Sequence, residues 1–244
     1  MSWLARVDHH PWPTTAAAAM AIQDDLRPQV DPVGGPGTRF RTVAGVDSAY
    51  DSTGAVAAAV VVLDATTLKP VTSAVAHGVT TFPYVPGLLA FREIPTTLAA
   101  LAELDTAPDL LVCDGQGLAH PRRFGLACHI GLLTGVPTIG VAKTAWGDYA
   151  QPGRGRGAST DITIDGEIVG RALRTRTAVK PVFVSVGHRI DLDTACAQVL
   201  AITPHFRLPE TTRHADHLCR AALHAQRSTQ TSPRFGPDYS GSAP

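Results

Sequence analysis

The chain reads as an α/β protein built on a mixed sheet, an antiparallel meander followed by parallel strands, flanked by helices. Three observations predict this. Residues 40–81 hold three strand-type apolar runs separated by short turn-like stretches. From residue 82 helix-spaced apolar residues alternate with short apolar strands. Of the 244 residues 44% are hydrophobic and 17% charged, enough to bury a sizeable core and too apolar for a disordered chain.

The alanine-rich stretch 14–27 predicts a first helix capped by Thr14 or Thr15. DPVGGPG at 31–37 breaks the chain, and strands follow at 40–50, 55–64 and 69–81, the first two joined by the turn-like DSTG. In 87–104, Leu88, Phe91, Ile94, Leu98 and Leu101 recur three or four apart, an amphipathic helix interrupted by Pro95, with Glu93 beside the stripe. Next come a strand at 109–113, a helix at 121–134 opened by Pro121 and ended by Gly135, and a strand at 136–142. The loop QPGRGRGAS, 151–159, leads into a hairpin, DITIDGEIVGRAL, with Asp165 and Gly166 at its turn. A strand at 181–187 and helices at 192–202 and 210–225 complete a single expected domain, residues 1–226, and 227–244 reads as a disordered tail.

Composition limits the partners. Lys plus Arg and Asp plus Glu number 21 each, so the chain lacks the basic surface of an architectural nucleic-acid binder. Any such contact must be local. Cys113, Cys128, Cys196 and Cys219 are widely spaced without a CxxC pair, and three lie in apolar or helical runs as buried free thiols do in a reducing compartment. The N-terminus has no signal-type apolar stretch, and no run approaches about 18 apolar residues, so a cytoplasmic protein with no membrane partner is expected.

Three carboxylates stand beside strongly apolar sequence. Asp47 follows VAGV, Glu93 closes FPYVPGLLAFRE, and Asp114 leaves the run DLLVC for DGQG. Buried acids are costly unless paired or bound to a cation, and hard divalent ions such as Mg2+ take such oxygens. If the first strand lies beside the fourth, Asp47 and Asp114 meet. A lone acid at a strand end can equally cap a helix or face water.

FPYVPGLLAFRE, DGQGLAHPRRFGLACHIG, VAKT and VGRALRTRTAVKPVFVSVG, in this order and spacing, resemble the successive signature blocks of the endonuclease V family, which has an RNase H-like core. The resemblance runs from about residue 40 to about 218. It implies cleavage of the second phosphodiester bond 3′ to deoxyinosine with Mg2+, for which Mn2+ substitutes. It places Asp47, Glu93 and Asp114 as the metal-binding acids and Lys143 as a further catalytic residue. Two oxygen-bound ions about 3.5–4 Å apart serve such an in-line displacement.

The remaining candidates each carry a plainer alternative. Tyr84, with Pro86 beside it, lies in a stiff segment that suits a wedge driven into stacked bases, or is simply a turn with a packed aromatic. Gly87, Gly115 and Gly117 permit close approach to hypoxanthine, with Leu89 as a wall. His120 touches a phosphate or the site edge, or is a satisfied structural histidine. Asp216, where some members carry His, stands behind the ligands if the last helix folds back, or is a solvent-facing charge. Lys143 alone would read as a surface lysine at a strand end.

Arg171, Arg174, Arg176 and Lys180, with Arg122, Arg123, Arg154 and Arg156, are cations suited to a phosphate track or to a solvated face, and strand alternation sets Arg174 and Arg176 on one side. The expected partner is inosine-containing DNA, met by a monomer. The rivals are inosine in RNA, a different lesion, or lesion binding without catalysis. Against the last, a pure binder has no use for clustered carboxylates. Gln116 in DGQG falls at a position that varies in the family, which leaves the chemistry intact and alters the pocket edge.

Overall fold

The computed structural model describes residues 3–4, 10–34 and 39–231. The Thr15 hydroxyl accepts from the Ala18 N–H and opens helix α1 (Ala16–Leu26). Strands β1 (Thr42–Tyr50), β2 (Ala55–Asp64) and β3 (Pro70–Val79) form the expected antiparallel meander. Helix α2 (Ala90–Ala102), β4 (Leu110–Cys113), α3 (Leu126–Thr134) and β5 (Thr138–Ala142) then alternate as anticipated. They are followed by β6 (Asp148–Tyr149), β7 (Ser159–Ile164), β8 (Glu167–Leu173) and β9 (Val182–His188), then α4 (Leu192–Ala201) and α5 (Glu210–Thr231).

Among the described residues the nine strands form one sheet in the order β3-β2-β1-β4-β5-β9-β8-β7-β6. The first strand does lie beside the fourth, in parallel, with Val43 opposite Leu110 and Val46 opposite Cys113. β5 continues in parallel from β4, whereas β9 and the strands beyond it run antiparallel. Alternation along the strands divides the core into two layers. Ala44, Val46, Leu111 and Cys113 pack with Ile94 of α2 and Ile130 of α3. On the other face Val43, Val112 and Val184 pack with Val199 of α4 and Ala215 of α5.

Several boundaries differ from expectation. Pro95 does not interrupt α2, because the cost of its missing N–H is offset by burial of Phe91, Ile94, Leu98 and Leu101 on both sides of it. The helix expected from Pro121 begins only at Leu126, with Gly125 as its cap. Residues ahead of it are held as turns by Arg123, which pairs with Asp165 and Glu167 of the β7–β8 hairpin and donates to the Ile164 and Pro121 carbonyls. β6 had no signal in the sequence, since two residues are too short for a periodic pattern. β8 ends at Leu173, so strand alternation does not reach Arg174 and Arg176. The last helix runs to Thr231, so residues 227–231 are helical and not tail. Residues 35–37 of the expected break and 232–244 of the expected tail lie outside the described residues. All four cysteines are buried and free, and among the described residues no helix is long and apolar enough to cross a membrane.

Candidate active site

The β1–β4 ladder fixes the first two acids. Asp47 and Asp114 each follow the last paired residues, Val46 and Cys113, and so stand side by side where β4 ends. Glu93 reaches the same edge from the first turn of α2, on the opposite face of the sheet, and is only 8% exposed. Lys143 is the first residue beyond β5, and its ammonium is ion-paired with the Asp114 carboxylate.

Electrostatics shows the three acids acting on one another. Burial pushes Asp47 up to about 7, and the Asp114 and Asp216 charges push in the same direction against the Ser48 N–H and Lys143. Burial likewise raises Glu93 to about 8, reinforced by Asp47 and Asp114. Lys143 is held above its ordinary value: burial pulls it down, but Asp114, Asp47 and Asp216 together outweigh that. Tyr50 is raised by burial and by Glu93, beside which its hydroxyl lies without reaching hydrogen-bond geometry.

The donor set suits a hard divalent cation, since carboxylate oxygens are what such ions take and a cation would relieve the repulsion that raises Asp47 and Glu93. Among the described residues no three His, Cys, Asp or Glu side chains stand already gathered for one ion. The Lys143 ammonium occupies one Asp114 oxygen, in the place where positive charge is wanted.

Next to the acids opens a cavity of about 350 Å³. Tyr84, Pro86, Gly87 and Leu89 line one side, and Asp114, Gly115 and Lys143 the other. Tyr84 is 71% exposed, so its ring is not packed into the turn. Gly87 holds φ +81°, and its carbonyl accepts from both His120 Nε2 (2.9 Å) and Gln23 Nε2 (3.1 Å).

One sequence expectation needs correction here, and the alternatives at His120 are narrowed. Gly117 is not on the cavity wall; a Cβ there would fall 2.0 Å from the Val186 carbonyl oxygen, so its small size serves packing against β9. His120 lines the cavity as a structural residue and not as a phosphate-binding cation. Its Nδ1 accepts from the Arg122 N–H, its Nε2 faces the Gly87 carbonyl, and burial drops it to about 4, so it is neutral.

Arg174 is corrected as well. It is 8% exposed, and its guanidinium donates to the carbonyls of Pro152, Gly153 and Val179, closing the loop before β7. Arg122 is partly exposed on the turn that carries His120. Asp216, on α5, is 41% exposed and paired with Arg220, yet near enough to raise both Asp47 and Lys143.

The Endonuclease V family model matches residues 24–217. The chain belongs to the Endonuclease V family. An Endonuclease V of Nocardia farcinica is 69% identical over 214 residues, covering 87% of this chain and 95% of that protein. The crystal structure of the Endonuclease V from Streptomyces avermitilis superposes with a TM-score of 0.85 at 58% identity, covering 89% of this chain and 96% of that one. The Endonuclease V of Ciona intestinalis, solved with a 24mer DNA containing an inosine followed by a ribo-adenosine, gives 0.76 at 28% identity, covering 86% and 98%.

Several residues of this Endonuclease V family member escaped the sequence reading. Gln23 of α1 clamps the Gly87 and Phe124 carbonyls beneath the cavity. Its signal was a polar residue four positions from the buried Ala19 on an alanine-rich helix. Gln116, already expected at the pocket edge, donates its amide to the Thr144 carbonyl at 2.7 Å and lines the cavity with Trp146. Arg207 holds the Lys143 and Pro181 carbonyls, and no local pattern marked it.

A wedge at this position would have a direct consequence. Tyr84→Ala should weaken retention on an inosine-containing duplex by about 1–3 kcal/mol, the size of a lost base–aromatic stack, while leaving the melting temperature nearly unchanged. Equal affinity of the two proteins in a fluorescence-anisotropy titration would remove the wedge.

Proposed function

We propose that the protein is a Mg2+-dependent DNA repair endonuclease that hydrolyses the second phosphodiester bond 3′ to deoxyinosine. One observation carries the reading: Asp47, Asp114, Glu93 and Lys143 converge beside a cavity fronted by an exposed tyrosine. Family membership supports it, and so does the inosine in the Ciona intestinalis complex.

In this reading the altered base leaves the stack for the cavity, with Tyr84 filling the gap, and its phosphate backbone is drawn across the acidic edge. Asp47 and Asp114 would hold Mg2+ directly, with Glu93 as a further ligand or a holder of water, and Mn2+ would substitute. The bound ion supplies a Lewis acid for the phosphoryl oxygens and lowers the pKa of water. Lys143 faces the charge that builds on the phosphate, fixed by Arg207 at its carbonyl. Hypoxanthine differs from guanine only in lacking the exocyclic amine, so discrimination falls to the close walls at Gly87, Gly115 and Leu89. We place the protein in the cytoplasm as a monomer, a reading supported by four cysteines that are all free.

Inosine in RNA is the second reading, favoured by the ribo-adenosine in the Ciona intestinalis complex. The deciding assay uses matched DNA and RNA oligonucleotides, each with one inosine, in Mg2+ and in chelator. DNA should be cut in Mg2+ alone, with activity lost in chelator and restored by Mg2+ or Mn2+. Cleavage that survives chelation would sink the metal site, and a strong preference for RNA would exchange the two readings.

A further inference from the structure

We propose that a second cavity beyond Lys143 seats the nucleotide that follows the scissile bond, with its phosphate on Lys180 and Arg207 and its base against Tyr149. The inference rests on the endonuclease reading above and names where the leaving strand lies.

This cavity measures about 570 Å³ and shares Lys143 and Thr144 with the first, so the two form one continuous surface with the Lys143–Asp114 pair at their junction. A strand whose altered base enters the first cavity and whose backbone crosses that junction on the 3′ side has the second ahead of it. Four cations line it, Lys143, Arg174, Lys180 and Arg207, and no acid does.

Lys143 is answered by Asp114, whereas among the described residues no acid pairs with Arg174 or Arg207. Arg207 donates to the carbonyls of Lys143, Lys180 and Pro181, and burial lowers its pKa. Arg174, beneath, is likewise held by carbonyls alone. Neutral partners orient a guanidinium without cancelling its charge, and a phosphate would cancel it. The alternative exit is a cavity of about 410 Å³ beside β1, lined by Ser48, Arg220 and Arg227. There Arg220 is already answered by Asp216 and Arg227 by Asp51, so the charge balance selects the other route.

An aromatic wall completes the site. Tyr149 packs edge-on against Phe183 with ring centroids 5.0 Å apart, which fixes its ring, and both residues line the cavity. A rigid ring beside backbone-binding cations is the pairing by which single strands are held without regard to sequence.

The test compares two inosine-containing DNA strands in Mg2+. One stops at an abasic sugar immediately beyond the scissile bond; the other continues for about four nucleotides. The wild-type KM for the short strand should exceed that for the long one by about tenfold. In Lys180→Gln and Lys180→Glu that ratio should fall toward one. For Lys180→Gln the slope of log Kd for the long strand against log salt should drop by about one. Lys180 is exposed, so a thermal melt of both variants serves as the folding control. A wild-type ratio of one, or a ratio unchanged in the variants, overturns this seat while the cleavage reading stands. Failure of the wild type to cut either strand takes down both.

Discussion

Replacing Asp47 by asparagine should lower cleavage by about 10³-fold or more, and should make the metal-free protein harder to unfold at alkaline pH. The two effects have one cause. Asp47 is a half-buried acid raised by the Asp114 and Asp216 charges, and a bound cation would favour its ionised form. Because its native pKa is raised, the folded protein keeps a proton that the unfolded chain has released. The resulting stabilisation is full below the ordinary value of 3.8 and is lost as the pH climbs through about 7. A rise from 3.8 to about 7 corresponds to roughly 4 kcal/mol, and coupling to Glu93 brings the expected cost at alkaline pH to about 2–4 kcal/mol.

Asparagine removes that cost, since its amide is neutral at every pH. With chelator present the melting temperature of Asp47→Asn should therefore exceed that of the parent above pH 7, with the gap narrowing as the pH falls toward 4. Mg2+ should raise the melting temperature of the parent and do little for the variant. Full cleavage by Asp47→Asn, or a variant less stable than its parent at alkaline pH, would refute the role given to this residue.

Replacing Lys143 by glutamine should reduce kcat about 10²–10³-fold while KM moves by less than about threefold. The ammonium sits beside Asp114, and in the proposed reaction it would meet charge that grows on the phosphate only as the bond breaks. An interaction of that kind accelerates the chemical step and contributes little to binding the ground state. Single-turnover rates at saturating substrate separate the two contributions. A loss confined to KM would make Lys143 a simple backbone contact. The main chain at 143 is anchored by Arg207, so the substitution should leave the fold in place.

Much of this site was legible before any coordinates. Asp47, Glu93 and Asp114 could be singled out because a charge beside a buried apolar run is an energetic anomaly, and the family resemblance named them together with Lys143, which alone read as a surface lysine. Tyr84 drew notice through its flanking prolines. The errors fell where a local rule met a tertiary constraint. Pro121 marks a helix start by propensity, yet Arg123 gains more by pairing with the hairpin than by joining a helical turn. Gly117 looked like a ligand-facing glycine, and the chain that crowds it is β9, about seventy residues away in sequence. Arg174 looked like one of a row of cations lining a phosphate track, but its partners are loop carbonyls that only the closed loop presents to it.

Taken alone, the order of residues determined the strands and helices, the layer architecture, and which acids would be costly to bury, because periodicity and burial cost are written within short windows of chain. The tertiary structure decided which charges share a space. Only pairing β1 beside β4 sets Asp47 next to Asp114, and only α2 crossing the other face adds Glu93. It also decided that His120 is neutral and that Arg207 meets no acid in its cavity. Those properties depend on desolvation and on Coulomb forces between distant segments, which fall off over a few ångströms in space and bear no relation to separation along the chain.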